Sequence, residues 1–598
     1  MLFFSSIVVV AFSAWVFAMG IPNEMFVFGN TIAGFLCFIP LYFVLFKSKS
    51  YLTSAIFYST FVTFTHLFSS FWLVNFQDFA IFTLGASSVA YFFLAVPFGI
   101  FFHYMFKSAR LQIRPFLFAL TITMWEYFKS SGFTAYPWGV IAMTTLKLST
   151  FIQMADVTGV WGISYMMALI GAMESEFCLA LCGFTNGLKK GTSYNWQYKK
   201  RELCKRFTLV REKTNRPLLP SMFFVLFLIS LINFYGVFSL NVEETPEKTI
   251  SLLLVQQNAD PWYDFFDSSI KVGQNLTRKG LKECEKEGKD VDLIIWSETS
   301  LSIAYEDYKD VYENTPNDDP FIPFLQEHKV PLLVGTQIRG KDDRHEVFNG
   351  VVLIDHYGDV LDSYAKMQLV PFAEFLPFMD SPIVQKLFDK LVGFSSGYHQ
   401  GYRYKVLKIQ NKKGKDISFA TPVCYEDAFP ALCAGLHEKG SDLLINLTND
   451  SWSRTDSAEY QHFAIAYFRA IELRTTLVRS TNAGYTCAVD PKGNVMSSLP
   501  LFQEGFLHIE IPLYSHKTTP YALFKDWLPL LLFILLIHYI CKEQKVFVKS
   551  LAEYSHYNYH WQKTEASLQK ENALSFKKSI KLSYKQRLAI KINTTFPY

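Results

Sequence analysis

The sequence is short of charge. Asp, Glu, Lys and Arg make up only 18% of its 598 residues, against 50% apolar and 17% aromatic, with 58 phenylalanines. A surface that poor in ions suits contact with lipid better than contact with water alone. No Lys or Arg precedes the first apolar run, residues 2–19, so the basic start of a signal peptide is missing and the run reads as a retained span, with a cleaved signal as the alternative. The nine cysteines form no CxxC pair and no metal-ligand spacing, so no metal is expected and no disulfide framework is called for. There is no nucleotide-binding motif either, and no cofactor is expected.

The charge that is present is segregated. Residues 242–517 hold 28 Lys/Arg against 40 Asp/Glu. The 183–218 loop holds 10 against 2, and residues 542–598 hold 11 against 4. The acidic block excludes a nucleic-acid surface, which would be basic. Basic loops beside membrane spans stay in the cytoplasm.

The chain is too long for one ordinary domain. Apolar runs cover residues 2–19, about 25–46, 51–74, 80–106, 115–133, 157–182 and 219–241, and an eighth covers Trp527 to Cys541. Each of the first seven is long enough to cross about 30 Å of hydrocarbon as a helix, and the eighth needs help from about Tyr521 onward. Lys47, Lys49, Lys107, Arg110, Arg114 and the 183–218 loop fall in alternate connections, which fits an N-terminus inside, and only the loop after the fifth span is ambiguous, with Lys129 and Lys147 on it. The expected organisation is a seven-helix membrane domain (1–241), an extracytoplasmic domain (242–517), an eighth transmembrane helix (518–541) and a basic cytoplasmic tail (542–598) with solvated composition. Glu126 falls in or near the end of the fifth span, where a carboxylate is costly and suggests function. Trp138 and Trp161 suit either an interfacial aromatic belt or a direct part in holding lipid.

The acidic block has a different rhythm. Short β-rich runs occur at 250–256, 292–297, 330–335, 350–354, 417–423, 442–448, 476–481, 485–489 and 506–511, with helix-compatible stretches between, such as 265–288 and 457–474. That predicts an α/β layered domain. One run ends in Pro422-Val423 and is followed at once by Cys424, Tyr425, Glu426 and Asp427. A sulfur nucleophile belongs at such a strand end, rigid yet open to a cleft. Upstream, Glu298 closes Asp292-Leu-Ile-Ile-Trp-Ser-Glu298, and Lys366 opens a segment that runs through Glu374 to Pro377. Cys424 supplies sulfur, Glu298 can take its proton, and Lys366 can favour the thiolate and steady an oxyanion. Glu374 can orient Lys366. Arg469, Glu472 and Arg474 recur at helical spacing, as either a solvated face or a brace behind the site.

The order Glu298, Lys366, Cys424 with these flanking words resembles the carbon–nitrogen hydrolase (nitrilase) superfamily. The Lys366–Pro377 wording and the apolar segments are similar to its membrane-bound apolipoprotein N-acyltransferase family, as are Asn446–Trp452, Glu459–Arg474 and Arg479–Gly484. The resemblance implies an αββα sandwich joined to a polytopic helical domain in a bacterial inner membrane, with the catalytic domain on the periplasmic face. It implies an enzyme that moves an acyl chain from a phospholipid to the α-amine of a diacylglyceryl-cysteine lipoprotein through a thioester on Cys424. It gives Tyr425 and Glu426 supporting roles. Trp262 and Trp138 are expected at the lipid, with 375–400 as a lid, in a monomer. A membrane-tethered amidase, an acyltransferase with another acceptor and a non-catalytic scaffold are the competing readings. The chain departs from the family wording at Ala373, Ser453 and Arg454.

Overall fold

The computed structural model describes residues 2–76, 81–132, 135–189, 218–260, 266–340, 345–375, 381–383, 386, 397–516 and 518–542. Most of the 183–218 loop, Trp262, much of the 375–400 segment and the tail from 543 lie outside the described residues.

The N-terminal half is a helical bundle. α1 (Leu2–Gly20) packs along α4 (Tyr51–Ser69), and the second apolar run forms two helices, α2 (Thr31–Leu36) and α3 (Phe38–Phe46). Pro40 explains the division, because it cannot donate to the Leu36 carbonyl one turn back. The run starts later than expected, since Asn30 caps α2 by accepting from the Ile32 and Ala33 amides. α5 (Ser87–Leu94) and α6 (Val96–Ser108) are likewise divided ahead of Pro97. α7 (Arg114–Lys129) and the helices Val160–Lys189 and Leu219–Asn241 complete this half.

Eight spans were expected, and the described residues contain four helices long and apolar enough to cross a membrane: Phe3–Gly20, Thr83–Ser108, Val160–Ala180 and Leu219–Asn241. Thr31–Phe46 and Trp527–Lys542 are apolar but shorter. α4 carries Ser, Thr and His along its length, and α7 at 16 residues is only about 24 Å long at ~1.5 Å per residue. Both are buried among their neighbours, so they do not need the uniform apolarity of a helix bathed in lipid.

The C-terminal half contains two sheets. One has the strand order β12 (Gly505–Leu513), β1 (Lys248–Gln256), β2 (Leu293–Ile295), β3 (Leu332–Arg339), β4 (Val347–Ile354), β5 (Val360–Ala365). The other runs β11 (Val495–Ser498), β10 (Cys487–Val489), β9 (Thr476–Thr481), β8 (Leu443–Thr448), β7 (Asp416–Ala420), β6 (Leu407–Gln410). In each sheet the three neighbours β1–β2–β3 or β7–β8–β9 are parallel, and the outer pairings are antiparallel. Alternation along β1 sorts the core: Leu252 and Leu254 share a cluster with Leu443, Ile445 and Leu477 of the other sheet, whereas Leu253 and Val255 pack with Ile270 and Leu276 of the Phe266–Lys286 helix. The result is an α/β sandwich with helices outside both sheets.

The helix Asp456–Leu473 covers the second sheet and is buried on all sides. Its outer face meets the membrane bundle, where Gln461 Nε2 donates to the carbonyls of Pro22 and Ser69 at 2.9 Å each. Arg474 extends the seam, pairing with Asp156 at 2.6 Å and donating to Gln153 Oε1 at 2.6 Å. Glu472 accepts from the Val160 amide at 2.7 Å and pairs with Arg469 at 2.8 Å. The solvated-face reading of these charges is therefore wrong: Arg469 and Glu472 have no exposed side-chain surface, because a membrane bundle stands where solvent was allowed for. Replacing Arg469 with Met leaves the Glu472 carboxylate buried without its cation. It is expected to cost about 3–5 kcal/mol, read as a lower unfolding midpoint of the detergent-solubilised protein.

Candidate active site

The two sheets bring three chain segments together at strand ends, two of them inner strands and one the edge strand β5. Glu298 lies just past β2 and Cys424 just past β7, both following parallel strands, while Lys366 follows β5 directly. Gly335 on β3 makes the approach possible. A side chain there would come within 2.5 Å of the Glu298 Cα.

The nucleophile turn is strained and heavily tied. Cys424 has a φ of +50°, a left-handed conformation that a non-glycine residue holds only when its surroundings enforce it. The enforcing group is Glu426. Its buried carboxylate accepts from the amides of Val423 at 2.7 Å, Met367 at 2.6 Å and Gln368 at 3.0 Å, and from the Tyr364 hydroxyl at 3.0 Å. It thus joins the cysteine turn to the lysine segment. Burial pushes its pKa up to about 7 against the pull of those amides and of Lys366. Asn446 Nδ2 closes the other side, donating to the carbonyls of Pro422 at 3.0 Å and Cys424 at 3.1 Å.

Lys366 has no exposed surface, and its Nζ lies 3.2 Å from Glu298 Oε1 and 2.9 Å from Glu374 Oε1. Asn349 Nδ2 donates to the same two oxygens at 2.8 and 2.6 Å, and the Asn449 amide donates to Glu298 Oε2 at 3.0 Å. Burial opposes the ammonium charge, but Glu298, Glu374 and the Cys424 sulfur outweigh it and hold the Lys366 pKa well above its usual value. The Cys424 thiol is pushed well above the ordinary range by burial and by Glu298, with Lys366 pulling the other way. The cysteine is partly accessible and reduced. The arrangement is a neutral thiol beside a carboxylate able to take its proton and an ammonium able to face a developing oxyanion.

Glu298, Lys366, Cys424, Glu374, Tyr425 and Glu426 are therefore gathered at one place. Trp138 joins them from the membrane bundle. It is buried, and its ring lies 5.4 Å from that of Tyr425 at an interplanar angle of 13°. Trp161 stands apart, donating to Asp526 at 3.2 Å. Ala373 sits in the Pro371–Phe375 turn, where the left-handed residue is Phe372 with φ +66°. Ser453 donates to Glu459 at 3.2 Å and Arg454 pairs with Asp260 at 2.7 Å, so both departures from the family wording have partners.

Sequence reasoning missed Asn349, Asn449, Gly335 and a buried charge cluster behind the nucleophile. The polar Asn349 inside an apolar strand was one visible signal, and Asn449, Asp450, His462 and Arg479 lay inside the family-like segments without being given a role. In the cluster, His462 contacts Asp450 at 2.7 Å through Nδ1 and Asp427 at 2.9 Å through Nε2, and Arg479 pairs with Asp427. His462 so ties the turn holding Cys424 to the one holding Asn449.

A stacked pair of sheets with a Cys, a Glu and a Lys at their strand ends defines a carbon–nitrogen hydrolase fold. Residues 270–521 match the Carbon-nitrogen hydrolase family. Residues 8–173 match a second family, the Apolipoprotein N-acyltransferase N-terminal domain. The chain is 46% identical over 547 residues to Apolipoprotein N-acyltransferase 2 of Treponema denticola, spanning 91% of this chain and 99% of that one. Identity to Apolipoprotein N-acyltransferase 2 of Treponema pallidum is 41%, over 86% of this chain and 91% of the relative. The Apolipoprotein N-acyltransferase of Borreliella burgdorferi is 28% identical over the same shares, 86% and 91%. The chain belongs to the apolipoprotein N-acyltransferase family.

The cluster sets a pH dependence. Burial alone would lower the His462 pKa, but Asp450 and Asp427 raise it from 6.5 to about 9. The native state thus holds a proton that the unfolded chain releases. Its contribution is complete below pH 6.5 and is lost as pH rises through about 9. Denaturant unfolding across that window should show stability falling by up to about 1.4 kcal/mol per pH unit, and His462→Gln should flatten the slope.

Proposed function

We propose that this enzyme transfers an acyl chain from a membrane phospholipid to the N-terminal α-amine of a diacylglyceryl-cysteine lipoprotein, through a thioester on Cys424. The observation that carries the reading is the buried Glu298–Lys366–Glu374 group beside a strained cysteine, set directly against a bundle of apolar helices. A soluble amidase gains nothing from such a bundle. An enzyme whose donor and acceptor both live in a bilayer gains concentration and orientation from it.

In the first half, Glu298 takes the thiol proton as the sulfur attacks the ester carbonyl. The tetrahedral oxyanion develops facing Lys366. It collapses as the C–O bond breaks, and the proton passes from Glu298 to the departing oxygen, giving an S-acyl enzyme and a lysophospholipid. In the second half, the lipoprotein amine attacks the thioester carbonyl and gives its proton to Glu298. The C–S bond breaks and the proton returns to sulfur. Glu374 holds Lys366 in place through both halves, and Glu426 and Tyr425 hold the cysteine turn. The indole of Trp138 walls the site towards the membrane, where acyl chains lie.

The reading extends to the whole chain. All eight apolar segments cross the bilayer, with the hydroxyl-rich and shorter ones sheltered by their neighbours. Residues 1–241 form the membrane domain, 242–517 the catalytic domain on the outer face of a bacterial inner membrane, 518–541 the last span and 542–598 a cytoplasmic tail, in a monomer.

Intact-mass analysis after incubation with phosphatidylethanolamine vesicles tests the chemistry. Wild type is expected to gain an acyl mass that hydroxylamine removes and that a diacylglyceryl-cysteine peptide with a free amine discharges, whereas Cys424→Ala gains none. Acylation of Cys424 by small amides and discharge of the thioester to water, with no discharge by that peptide, would favour a tethered amidase. Unchanged lipoprotein N-acylation in cells carrying only Cys424→Ala would favour a non-catalytic scaffold.

A further inference from the structure

Among the ionisable groups of the membrane bundle that the reaction above does not use are Glu126 and Lys129, in the last turn of α7. Ionisable side chains among membrane helices are expensive and are retained for a purpose. Three residues apart, they share one helix face. Both are spent on the same short piece of chain. Lys129 Nζ donates to the carbonyls of Trp138 and of Gly139, the latter at 2.9 Å, and Glu126 Oε1 accepts from the Ile141 amide at 2.7 Å. The Lys129 carbonyl also accepts from the Tyr136 amide at 2.8 Å.

That piece of chain is in direct contact with the residue after the nucleophile. The Tyr425 hydroxyl donates to the Ala135 carbonyl, and the Tyr425 ring lies nearly parallel to Trp138. Tyr136 stacks on Trp138 from the membrane bundle, with centroids 5.4 Å apart and planes 24° apart. Trp138 borders a cavity lined also by Tyr58, His66, Trp125, Glu126 and Lys129, and its Nε1 is buried without a hydrogen-bond partner. Gly139 adds a left-handed kink, with φ +64°. The ring also meets His462 at 5.3 Å and Trp72 at 6.4 Å, so its neighbours set its plane while the two charged tethers hold the kinked backbone that carries it.

We infer that Glu126 and Lys129 are positioning residues: they clamp the backbone from Trp138 to Ile141 so that Trp138 holds Tyr425, and through it Cys424, in the geometry that takes up the acyl chain. The inference deepens the proposed function and rests on Cys424 carrying the thioester. The membrane domain, on this view, sets the aim of the nucleophile as well as delivering lipid.

The test is a double-mutant cycle on the full chain, reading the rate of Cys424 acylation from phosphatidylethanolamine vesicles by intact mass. Lys129→Met and Trp138→Leu are each expected to slow acylation roughly 10- to 100-fold, the scale of a nucleophile misplaced by about an ångström. If Lys129 acts through Trp138, the double variant is no slower than the slower single one. A Lys129→Met rate within twofold of wild type, or losses that multiply in the double variant, would overturn the inference. Should Lys129→Met not fold, Glu126→Leu replaces it in the same cycle, with Glu126→Gln restoring most of the lost rate because its amide oxygen still accepts from Ile141. If wild type forms no acyl adduct, the functional reading fails instead. The cycle is then read on alkylation of Cys424 by iodoacetamide, with the same two criteria.

Discussion

The ammonium of Lys366 is held without solvent between the carboxylates of Glu298 and Glu374, and much of the catalytic half is arranged to permit it. A buried cation survives only if its partners repay the lost hydration. Here two carboxylates do so, Asn349 adds a second donor to each oxygen that Lys366 contacts, and the Asn449 and Val370 backbone amides satisfy the two oxygens that Lys366 leaves open. The group then carries one net negative charge. A thiolate beside it would make that two, in a setting where like charges are poorly screened. The sulfur therefore rests as a thiol and ionises only as it attacks, when its proton moves onto Glu298. The negative charge then moves onto the substrate, opposite Lys366. In this arrangement the oxyanion is favoured over the resting thiolate, which is what transition-state selectivity requires.

The fold is consistent with that demand. Both central parallel strands stop at the site, so rigid elements carry Glu298 and Cys424. Glu426 spends its carboxylate on three backbone amides and so links the cysteine turn to the lysine segment. Behind them, the Asp456–Leu473 helix is packed between a sheet and the membrane bundle, and Arg469 donates to the Ala428 carbonyl of the nucleophile turn at 3.4 Å. The catalytic half meets the bundle through this helix. The same helix that braces the site is the dock.

Much of this was legible in the sequence, for physical reasons. Strands with uninterrupted apolar runs, such as Leu252–Val255 and Leu443–Ile445, announce burial on both faces. Helices 266–286 and 456–473 fell within a residue or two of expectation. β5, β6 and β11 were missed because they lie at or next to sheet edges, where one face or both need not be apolar; Val495–Ser498 has no buried residue at all. The eight-span count rested on apolar length, which does not show that α4 and α7 find their partners inside the bundle. In the site, residues tied to motif words were found. Asn349, His462 and the Glu126–Lys129 tethers were not recognised for what they do, because their roles come from contacts with other elements, about ten to fifty residues away along the chain, that periodicity does not reveal.

The claim at the centre is that negative charge rests on the carboxylates and not on sulfur. Iodoacetamide alkylation of Cys424, followed by peptide mass across pH 5 to about 11, measures it directly, because only the thiolate reacts. The account expects the rate to rise with an apparent pKa above the free-thiol value of about 8.5. Half-maximal alkylation below that value, or a plateau already reached at neutral pH, would mean a thiolate at rest and would contradict it.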